Sequence, residues 1–437
     1  MQRLFMVITS SEWLILLAVL PLILFPTPGR SLVLLLIPFL WGVRKLGNGR
    51  FIPTTPLDTS LFLLFLTILI SLYASYDLSL SLPKVIGVTY GMALFYAVAA
   101  ASGRSPRHFQ ISLGVFLLAG LAIVLVSLTG TNWGIKLPSL SPLVTRMPQF
   151  INNVPGAEDG FSPNEVAGTL LWFLPLGLTL ALFPRTVSRH ISSNKILKLL
   201  LILFLWSLAF LSIATFILTQ SRSGYIAFVA AGLVIVRGSL YKRKLLAWGL
   251  LVFVIILAVG LIALVDRQQA GQLLFFLGND VADAGGITLS GRTEVWARAV
   301  YAIRDFPLTG MGMNLFRTIV PVLYPFFALS ADVDIAHAHN QFLQAGVDLG
   351  LPGLIAYVAL WLGLAGMVWQ SWRLSIDSWS QALTTGFAAT LIASFVFGLT
   401  DAVALGAKPG FMFWFLLGLI TGHSYLLAGA SDGGNGS

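Results

Sequence analysis

Two histidines and an asparagine open the stretch of this sequence that is best suited to chemistry. His337, His339 and Asn340 begin the segment HAHNQFLQAGVDLGLPG, which ends at Gly353 and joins a long polar segment to a long apolar one. A histidine exchanges protons near neutral pH, which the surrounding aliphatic residues cannot do. We take His339 as the candidate general base, with His337 and Asn340 as supporting or substrate-contacting residues. Taken alone, the two histidines are equally consistent with polar surface or capping residues.

The residues after Asn340 have helical spacing. Apolar positions recur every three or four residues and polar ones occupy the opposite face, with Phe342, Leu343, Gly346, Val347 and Gly350 set against Gln341, Gln344 and Asp348. This pattern predicts a short helix along the outer membrane surface, with His339 at its N-terminal end and Pro352 starting the next membrane helix. The N-terminal end of a helix favours the neutral imidazole that a general base needs.

Arg222 is the second candidate, because it lies in a break of a few residues between two apolar runs. An arginine near the hydrocarbon costs about 2.5–3.5 kcal/mol on insertion scales, so a partner or a function is expected. The small neighbours Ser221, Ser223 and Gly224 are expected to let a ligand approach the backbone. A planar guanidinium suits a pyrophosphate. The alternative is an interfacial arginine whose side chain extends outward to water.

Arg292 is the third candidate, in the segment LSGRTEVW from Leu289 to Trp296. The segment resembles a helix start, and Val295, Ala299 and Ile303 continue it at helical spacing. A cation in a first turn opposes the helix dipole, and an anionic ligand would remove that conflict. A solvated loop arginine beside Glu294 is the alternative.

Other polar groups give weaker signals. Asn164 is predicted either to hydrogen-bond a sugar or to cap a helix. Asp332 and Asp334 join the two histidines as metal-ligand types, but their spacing matches no metal motif, so we predict no metal and no cofactor. The segment from Gly310 to Asn314 reads as a turn.

Membrane helices must position these candidates, because the composition is too apolar for a water-soluble protein. Of 437 residues, 57% are hydrophobic and 10% charged, against about 25% charged in soluble domains. The mean hydropathy is +0.89. The predicted class is an all-α polytopic membrane protein. The sequence contains no cysteine, which excludes disulfides and thiolate metal sites.

Hydropathy predicts about twelve membrane helices of roughly 20 residues each. They fall near 12–27, 31–47, 57–75, 84–102, 109–129, 164–184, 197–219, 223–239, 244–265, 352–371, 380–400 and 409–428. The predicted organisation is therefore nine helices in residues 1–265, an extracytoplasmic loop with short helices in 266–351, three helices in 352–430 and a disordered tail in 431–437.

The distribution of charge orients this arrangement. With the N-terminus in the cytoplasm, 15 of the 26 Lys and Arg residues lie inside, as the positive-inside rule expects. Both long loops, 130–163 and 266–351, then lie outside. The net charge of +9 is explained by basic cytoplasmic loops facing anionic lipid, so nucleic-acid binding is not expected. Ionisable residues are nearly absent from the predicted membrane centres, which argues against a coupled transporter.

The three motifs together resemble a known family. His339-Asn340 followed by Gly350 and Gly353 resembles the signature of the bacterial O-antigen ligases, a family that also contains O-antigen polymerases. Arg222 in Gln-Ser-Arg-Ser-Gly and Arg292 in Ser-Gly-Arg-Thr-Glu-Val-Trp look like the two functional arginines of that family. The resemblance covers about Asn164 to Gly353.

The resemblance implies a metal-independent, inverting glycosyltransferase of the GT-C type in the bacterial inner membrane, with its site on the periplasmic face. Its donor would be a glycan on undecaprenyl pyrophosphate, held by Arg222 and Arg292. His339 would deprotonate a hydroxyl of the lipid A core acceptor. Two alternatives remain, a polymerase with a second lipid-linked glycan as acceptor and an inorganic-carbon transporter. The motifs do not separate ligase from polymerase.

Overall fold

The computed structural model describes residues 2–137, 140–191, 194–240, 289–327, 329 and 335–434. Within these residues the secondary structure is helical, and β pairing is confined to two isolated bridges. The α-helices, numbered in chain order, are α1 (Gln2–Leu24), α2 (Pro28–Ser31), α3 (Leu36–Asn48), α4 (Asp58–Ala74), α5 (Leu78–Ser102), α6 (Pro106–Gly130), α7 (Ser141–Val144), α8 (Pro163–Leu170), α9 (Leu174–Leu182), α10 (Pro184–Ile191), α11 (Lys195–Leu218), α12 (Arg222–Leu240), α13 (Leu289–Asp305), α14 (Phe316–Leu323), α15 (Gln341–Leu374), α16 (Ser378–Gly398) and α17 (Phe411–Gly434).

The described helices support a polytopic membrane protein. Seven are long and apolar enough to cross a membrane, and the bent pair α8 and α9 would make eight. The seven are Pro28–Asn48, Leu78–Ser102, Pro106–Gly130, Lys195–Leu218, Gln341–Leu374, Ser378–Gly398 and Lys408–Ala430. Eleven of the twelve predicted spans coincide with helices, and the ninth, 244–265, lies outside the described residues. The all-α class is supported, whereas the number twelve stays a prediction.

The sixth predicted span is broken. It is divided into α8 and α9, which are bent by 45°. Pro175 is in the first turn of α9, where its missing N–H interrupts the hydrogen-bond pattern of a continuous helix. Gly168 of α8 lies against Phe397 and Val403, where an added Cβ would come within 2.5 Å of the Phe397 ring. The break therefore lets α8 pack closely against the end of α16 and the connection that follows it.

Helix α15 is also broken, at Gly350, where φ is 70° and ψ is −174°. The segment before α14 satisfies the freed backbone groups: Met311 donates its N–H to the Val347 carbonyl, and Leu351 donates to the Pro307 carbonyl, both at 2.7 Å. An added Cβ at Gly350 would lie 2.7 Å from the Pro307 oxygen. The prediction of a short helix followed by a second helix near Pro352 is confirmed.

The interior of the bundle is built on α17, which packs against α5, α6 and α15. Trp414 and Phe415 of α17 are fully buried, as are Phe95 of α5 and Phe116 of α6. Close approach is possible because Gly91 of α5 leaves room for the Trp414 ring. This core supports the two connections that carry the candidate site, one before α15 and one between α16 and α17.

A buried ion pair joins the first helices. Glu12 of α1 accepts a hydrogen bond from the Arg44 guanidinium of α3, and both side chains are almost completely buried. Glu12 begins the first predicted span and Arg44 lies near the end of the second, so the expectation that ionisable residues are nearly absent from the membrane centres stays a prediction.

Two of the predicted domain ranges overlap with described helices. The predicted loop 266–351 contains the short helices α13 and α14, and α17 extends to Gly434, four residues into the predicted tail 431–437. The remaining domain boundaries stay predictions.

Candidate active site

A single buried carboxylate connects three of the candidate residues. Asp401, in the connection between α16 and α17, is only 1% exposed. Its Oδ1 lies 3.2 Å from Nδ1 of His339 and 4.0 Å from Nε2 of His337, and its Oδ2 lies 3.8 Å from the Arg292 guanidinium. Asp401 also accepts the backbone N–H of Ala402 through Oδ1 at 2.8 Å. The two histidines and Arg292 thus share one anionic centre.

The two histidine rings lie side by side in the segment that precedes α15. Their centroids are 4.4 Å apart, and Nδ1 of His337 accepts the backbone N–H of His339 at 3.1 Å. His339 has a φ of 45°, a left-handed conformation that is rare for a residue other than glycine. This turn directs the His339 ring towards Asp401, and His337 supports it.

Asn340 holds the start of α15 in place. Its Oδ1 accepts the N–H groups of Phe342 and Leu343 at 2.9 and 3.0 Å, and its Nδ2 donates to the Leu399 carbonyl at 2.9 Å. Asn340 is therefore the N-cap, so His339 lies just outside the helix and neither histidine caps it. Because Leu399 is two residues before Asp401, the same amide also fixes the carboxylate's segment relative to His339.

Helix α13 brings Arg292 to this cluster. Val295 and Ala299 are fully buried and Ile303 is nearly so, which confirms the predicted apolar stripe. They belong to a small core with Val347 of α15. Trp296 also donates its indole N–H to the His339 carbonyl at 3.3 Å. Arg292 is therefore held beside the histidines, which the solvated-loop alternative does not explain.

A buried amide and carboxylate lie beneath the histidine segment. The Gln344 side chain accepts the Ala338 N–H at 2.7 Å and donates to Oδ1 of Asp348 at 2.8 Å. Gln344 is 4% and Asp348 2% exposed. The polar face predicted for this short helix is therefore enclosed. Gln344 fixes the residue between the two histidines.

Arg222 is the first residue of α12 and is exposed. Its neighbours Ser221, Ser223 and Gly224 are buried, and an added Cβ at Gly224 would lie 3.2 Å from the Phe216 ring and 3.3 Å from Ala167. These small residues serve helix packing, so the prediction that they admit a ligand to the backbone is wrong.

The break before Arg222 binds residues 131–137, the start of the connection that follows α6. Gln220 adopts a φ of 51°, and its side chain accepts the N–H groups of Lys136 and Leu137 at 2.8 and 2.6 Å while donating to the Gly134 carbonyl at 2.8 Å. The Lys136 ammonium in turn donates to Oδ1 of Asn164 at 3.3 Å. The connection is thereby attached beside both Arg222 and the start of α8.

Asn164 lies in the first turn of α8, whose N-cap is Ser162. The helix-capping alternative for Asn164 is therefore wrong, and its amide oxygen is engaged by Lys136. A contact between Asn164 and a sugar stays a prediction.

The electrostatics of the cluster favour an ionised carboxylate and a neutral His337. Burial on its own raises the pKa of Asp401, but the hydrogen bond to His339 and the charges of His339, His337 and Arg292 outweigh it and leave that pKa below its usual value. Burial, followed by repulsion from a protonated His339, lowers the pKa of His337 to about 3. His337 is therefore neutral near pH 7.

Two polar atoms of the cluster are incompletely paired. Among the described residues, Oδ2 of Asp401 and Nε of Arg292 are buried and make no hydrogen bond. Buried polar groups without a hydrogen bond are uncommon and often mark functional sites. The residues able to hold a metal in the described part of the chain are His337, His339 and Asp401, whereas Asp332 and Asp334 lie outside it.

Sequence reasoning identified the histidines and the arginines but missed Asp401 and Gln344. Asp401 follows His339 by 62 positions and belongs to no local motif. Its one signal was an acidic residue in a short connection that the sequence places on the same side of the membrane as His339.

The fold and this cluster define a multi-pass helical membrane protein with a histidine–carboxylate–arginine site at the ends of its helices. The family model described as O-antigen ligase matches residues 207–358, a segment that includes Arg222, Arg292 and His339. This match agrees with the family that the motifs predicted, and it supports a membrane glycosyltransferase of the O-antigen ligase or polymerase type. No curated protein matches the chain.

Proposed function

We propose that this protein moves a glycan from undecaprenyl pyrophosphate to a sugar of the lipid A core, with inversion and without a metal. The reaction takes place at the periplasmic face of the bacterial inner membrane. The observation that carries the proposal is the position of Asp401, whose carboxylate lies against both a histidine and an arginine. A base and a cation on one buried carboxylate suit a reaction that removes a proton and releases an anion.

His339 is the general base in this mechanism. An ionised Asp401 accepts a hydrogen bond from Nδ1–H of His339, which leaves the lone pair of Nε2 free. Nε2 takes the proton of the acceptor hydroxyl as that oxygen attacks the anomeric carbon of the donor. A carboxylate in this position fixes the tautomer and stabilises the imidazolium that forms.

Arg292 and Arg222 act on the leaving group. As the bond between the anomeric carbon and the pyrophosphate oxygen breaks, negative charge develops on the undecaprenyl pyrophosphate. Guanidinium groups already in place stabilise this charge without reorganisation. Nε of Arg292 is buried and makes no hydrogen bond among the described residues, and in this mechanism it donates to a phosphate oxygen of the bound donor. Arg222, exposed at the start of α12, supplies the second cation.

His337 and Asn340 position the base and have no direct role in proton transfer. His337 accepts the backbone N–H of His339, and Asn340 joins the start of α15 to the segment that carries Asp401. Asn164, which is bound by Lys136, is assigned to the acceptor side as a hydrogen-bond partner for a sugar.

The deciding experiment is reconstitution with a lipid-linked oligosaccharide, with lipid A core present or absent. We expect a glycan-extended lipid A core only when the core is supplied, and free undecaprenyl pyrophosphate in equal amount. Longer lipid-linked glycans formed without the core would instead identify a polymerase. If neither product forms with a protein that is folded and inserted, the proposed transfer is wrong.

A further inference from the structure

The three side chains at the centre of the site also form a set of metal-binding donors. His337, His339 and Asp401 each offer one ligand atom, and these atoms lie within 4.8 Å of one another. Two imidazole nitrogens with one carboxylate oxygen are a frequent ligand set for Zn²⁺, with water in the fourth position. Tetrahedral zinc needs ligand atoms ~3.3 Å apart, and the two measured separations from Oδ1 of Asp401 are 3.2 and 4.0 Å. The side chains would have to rotate to bring the three ligand atoms together. His337 would also have to turn away from the His339 N–H, because an imidazole that binds a metal through Nε2 carries its proton on Nδ1, which now accepts that N–H.

Access and charge at the cluster allow a cation to enter. The His337 and His339 side chains are 23% and 14% exposed, whereas Asp401 is buried beneath them. Arg292 opposes a bound cation, since its guanidinium lies 3.8 Å from Oδ2 of Asp401, and the charges of Lys84 and Arg317 also act on His337. A metal on the Oδ1 side would be separated from Arg292 by the carboxylate. This repulsion weakens binding, so reversible occupancy is expected.

We propose that His337, His339 and Asp401 bind a divalent transition metal, with Zn²⁺ as the probe, and that the bound metal inhibits transfer. The inhibition rests on the proposed function, whereas the binding does not. A metal that binds the lone pair of Nδ1 of His339 requires the imidazole proton to move from Nδ1 to Nε2, and it places positive charge beside the ring. Nε2 then no longer accepts a proton from a hydroxyl. A metal-independent enzyme is thus inhibited by a metal at its own base.

The binding half is tested on the full-length protein, purified without a histidine tag and placed in lipid nanodiscs. Titration with Zn²⁺, followed by calorimetry, and with Co²⁺, followed by visible absorption, should show one specific ion per protein. His337→Ala and Asp401→Asn should each weaken binding by at least about tenfold. The matched control is His108→Ala, because His108 is hydrogen-bonded to Ser105 at the start of α6 and should leave binding unchanged. Absence of binding, or equal binding in His337→Ala, would overturn the proposal.

The inhibitory half is tested in the transfer assay. Zn²⁺ should stop transfer over the concentration range in which it binds, and EDTA should restore the rate. EDTA added to untreated protein should leave the rate unchanged, and a loss there would show that a metal is required, which contradicts inhibition. Full zinc binding with undiminished transfer would also overturn it. Zinc binding by a protein that transfers no glycan would contradict the proposed function while supporting the metal site.

Discussion

Two buried carboxylates in this protein are paired in different ways. Glu12 meets Arg44 directly, and the two side chains are only 2% and 3% exposed. Asp401 is equally buried, but its three partners lie 3.2 to 4.0 Å away and are 14% to 23% exposed. Both groups leave buried polar atoms without a hydrogen bond among the described residues, Oε1 of Glu12 and two nitrogens of Arg44 at the first and Oδ2 of Asp401 and Nε of Arg292 at the second. The difference therefore lies in exposure, because only the partners of Asp401 are partly exposed and can meet a substrate. We infer that the first pair serves stability and the second serves chemistry.

Removal of the base should have the largest effect. We expect His339→Ala to reduce the rate of transfer by about 10³-fold, within the range ascribed to general bases. The protein should stay folded and inserted, because the His339 side chain makes no contribution to the main apolar core. Transfer from the lipid-linked donor is measured beside His108→Ala, in which the parental rate is expected. A parental rate in His339→Ala would refute the assignment of the base.

Disruption of the Glu12–Arg44 pair should lower the stability of the protein and leave its transfer activity unchanged. Glu12→Ala leaves the Arg44 charge buried and unpaired, which costs about 3–5 kcal/mol of unfolding free energy. Unfolding in detergent, followed by circular dichroism, measures this cost, and the rate per folded molecule should stay at the parental value. The double variant Glu12→Leu/Arg44→Leu should recover most of the stability, since an apolar pair needs no compensation. A folded Glu12→Ala protein without activity would remove the distinction between the two carboxylates.

The complementary change at the site is Asp401→Asn. An amide keeps the shape but no longer stabilises the imidazolium or fixes its tautomer, and we expect a loss of about 10²-fold or more in kcat. The melting temperature measured in the same detergent should fall much less than for Glu12→Ala. If Asp401→Asn and Glu12→Ala lose activity and stability in the same ratio, the assignment of Asp401 to chemistry and Glu12 to stability is wrong.

Arg222→Lys tests the arginine that lies on a different helix from the cluster. Lysine keeps the charge but lacks the planar fork that binds two phosphate oxygens. One lost charge-assisted hydrogen bond of about 1.5–3 kcal/mol corresponds to a loss of about tenfold or more in kcat/KM. Donor binding is measured with a lipid-linked pyrophosphate in nanodiscs, and unchanged binding would contradict the pyrophosphate role.

The sequence predicted those parts of the site that carry an unusual residue in a local pattern. His339 beside Asn340, and Arg292 before an apolar stripe, were recognisable because charged or titratable side chains stand out in an apolar chain. Asp401 was missed, because the fold brings it to His339 from a separate helix connection. Glu12 was missed for the same reason, since its partner Arg44 lies 32 positions away.

In the fold, too, features set by local sequence were predictable, whereas features set by contacts between distant segments were not. Hydropathy predicted where the helices lie, because burial in lipid requires continuous apolar segments. It did not predict the bend between α8 and α9, or the burial of Ser221 and Gly224. Both depend on which helix packs against which, as with Ala167 beside Gly224. The break at Gly350 was predictable in place, but the segment that satisfies its backbone groups was not.

Gln344 tests the comparison between the two carboxylates through the smallest expected effect. It holds the histidine segment in place but does not contact Asp401, His339 or Arg292 through a charged group. Its side chain holds the Ala338 N–H, midway between the two histidines. Gln344→Leu should lower kcat by up to about tenfold, the worth of a buried hydrogen bond, while the KM for the lipid-linked donor stays constant. If Gln344→Leu only reduces the amount of folded protein, the kcat of the remaining active enzyme should be unchanged. Active-site titration distinguishes this outcome from a lower kcat.

The partner of Gln344 supplies the control. Asp348→Asn retains the oxygen that accepts from the Gln344 amide, so its kcat should stay near the parental value, whereas Asp348→Leu should behave like Gln344→Leu. The double variant Gln344→Leu/Asp348→Leu should be no worse than Gln344→Leu alone, because Asp348 acts on the Ala338 N–H only through the Gln344 amide. Additive losses would mean that the two residues act separately. The positioning of His339 would then rest on Asn340 and His337 alone.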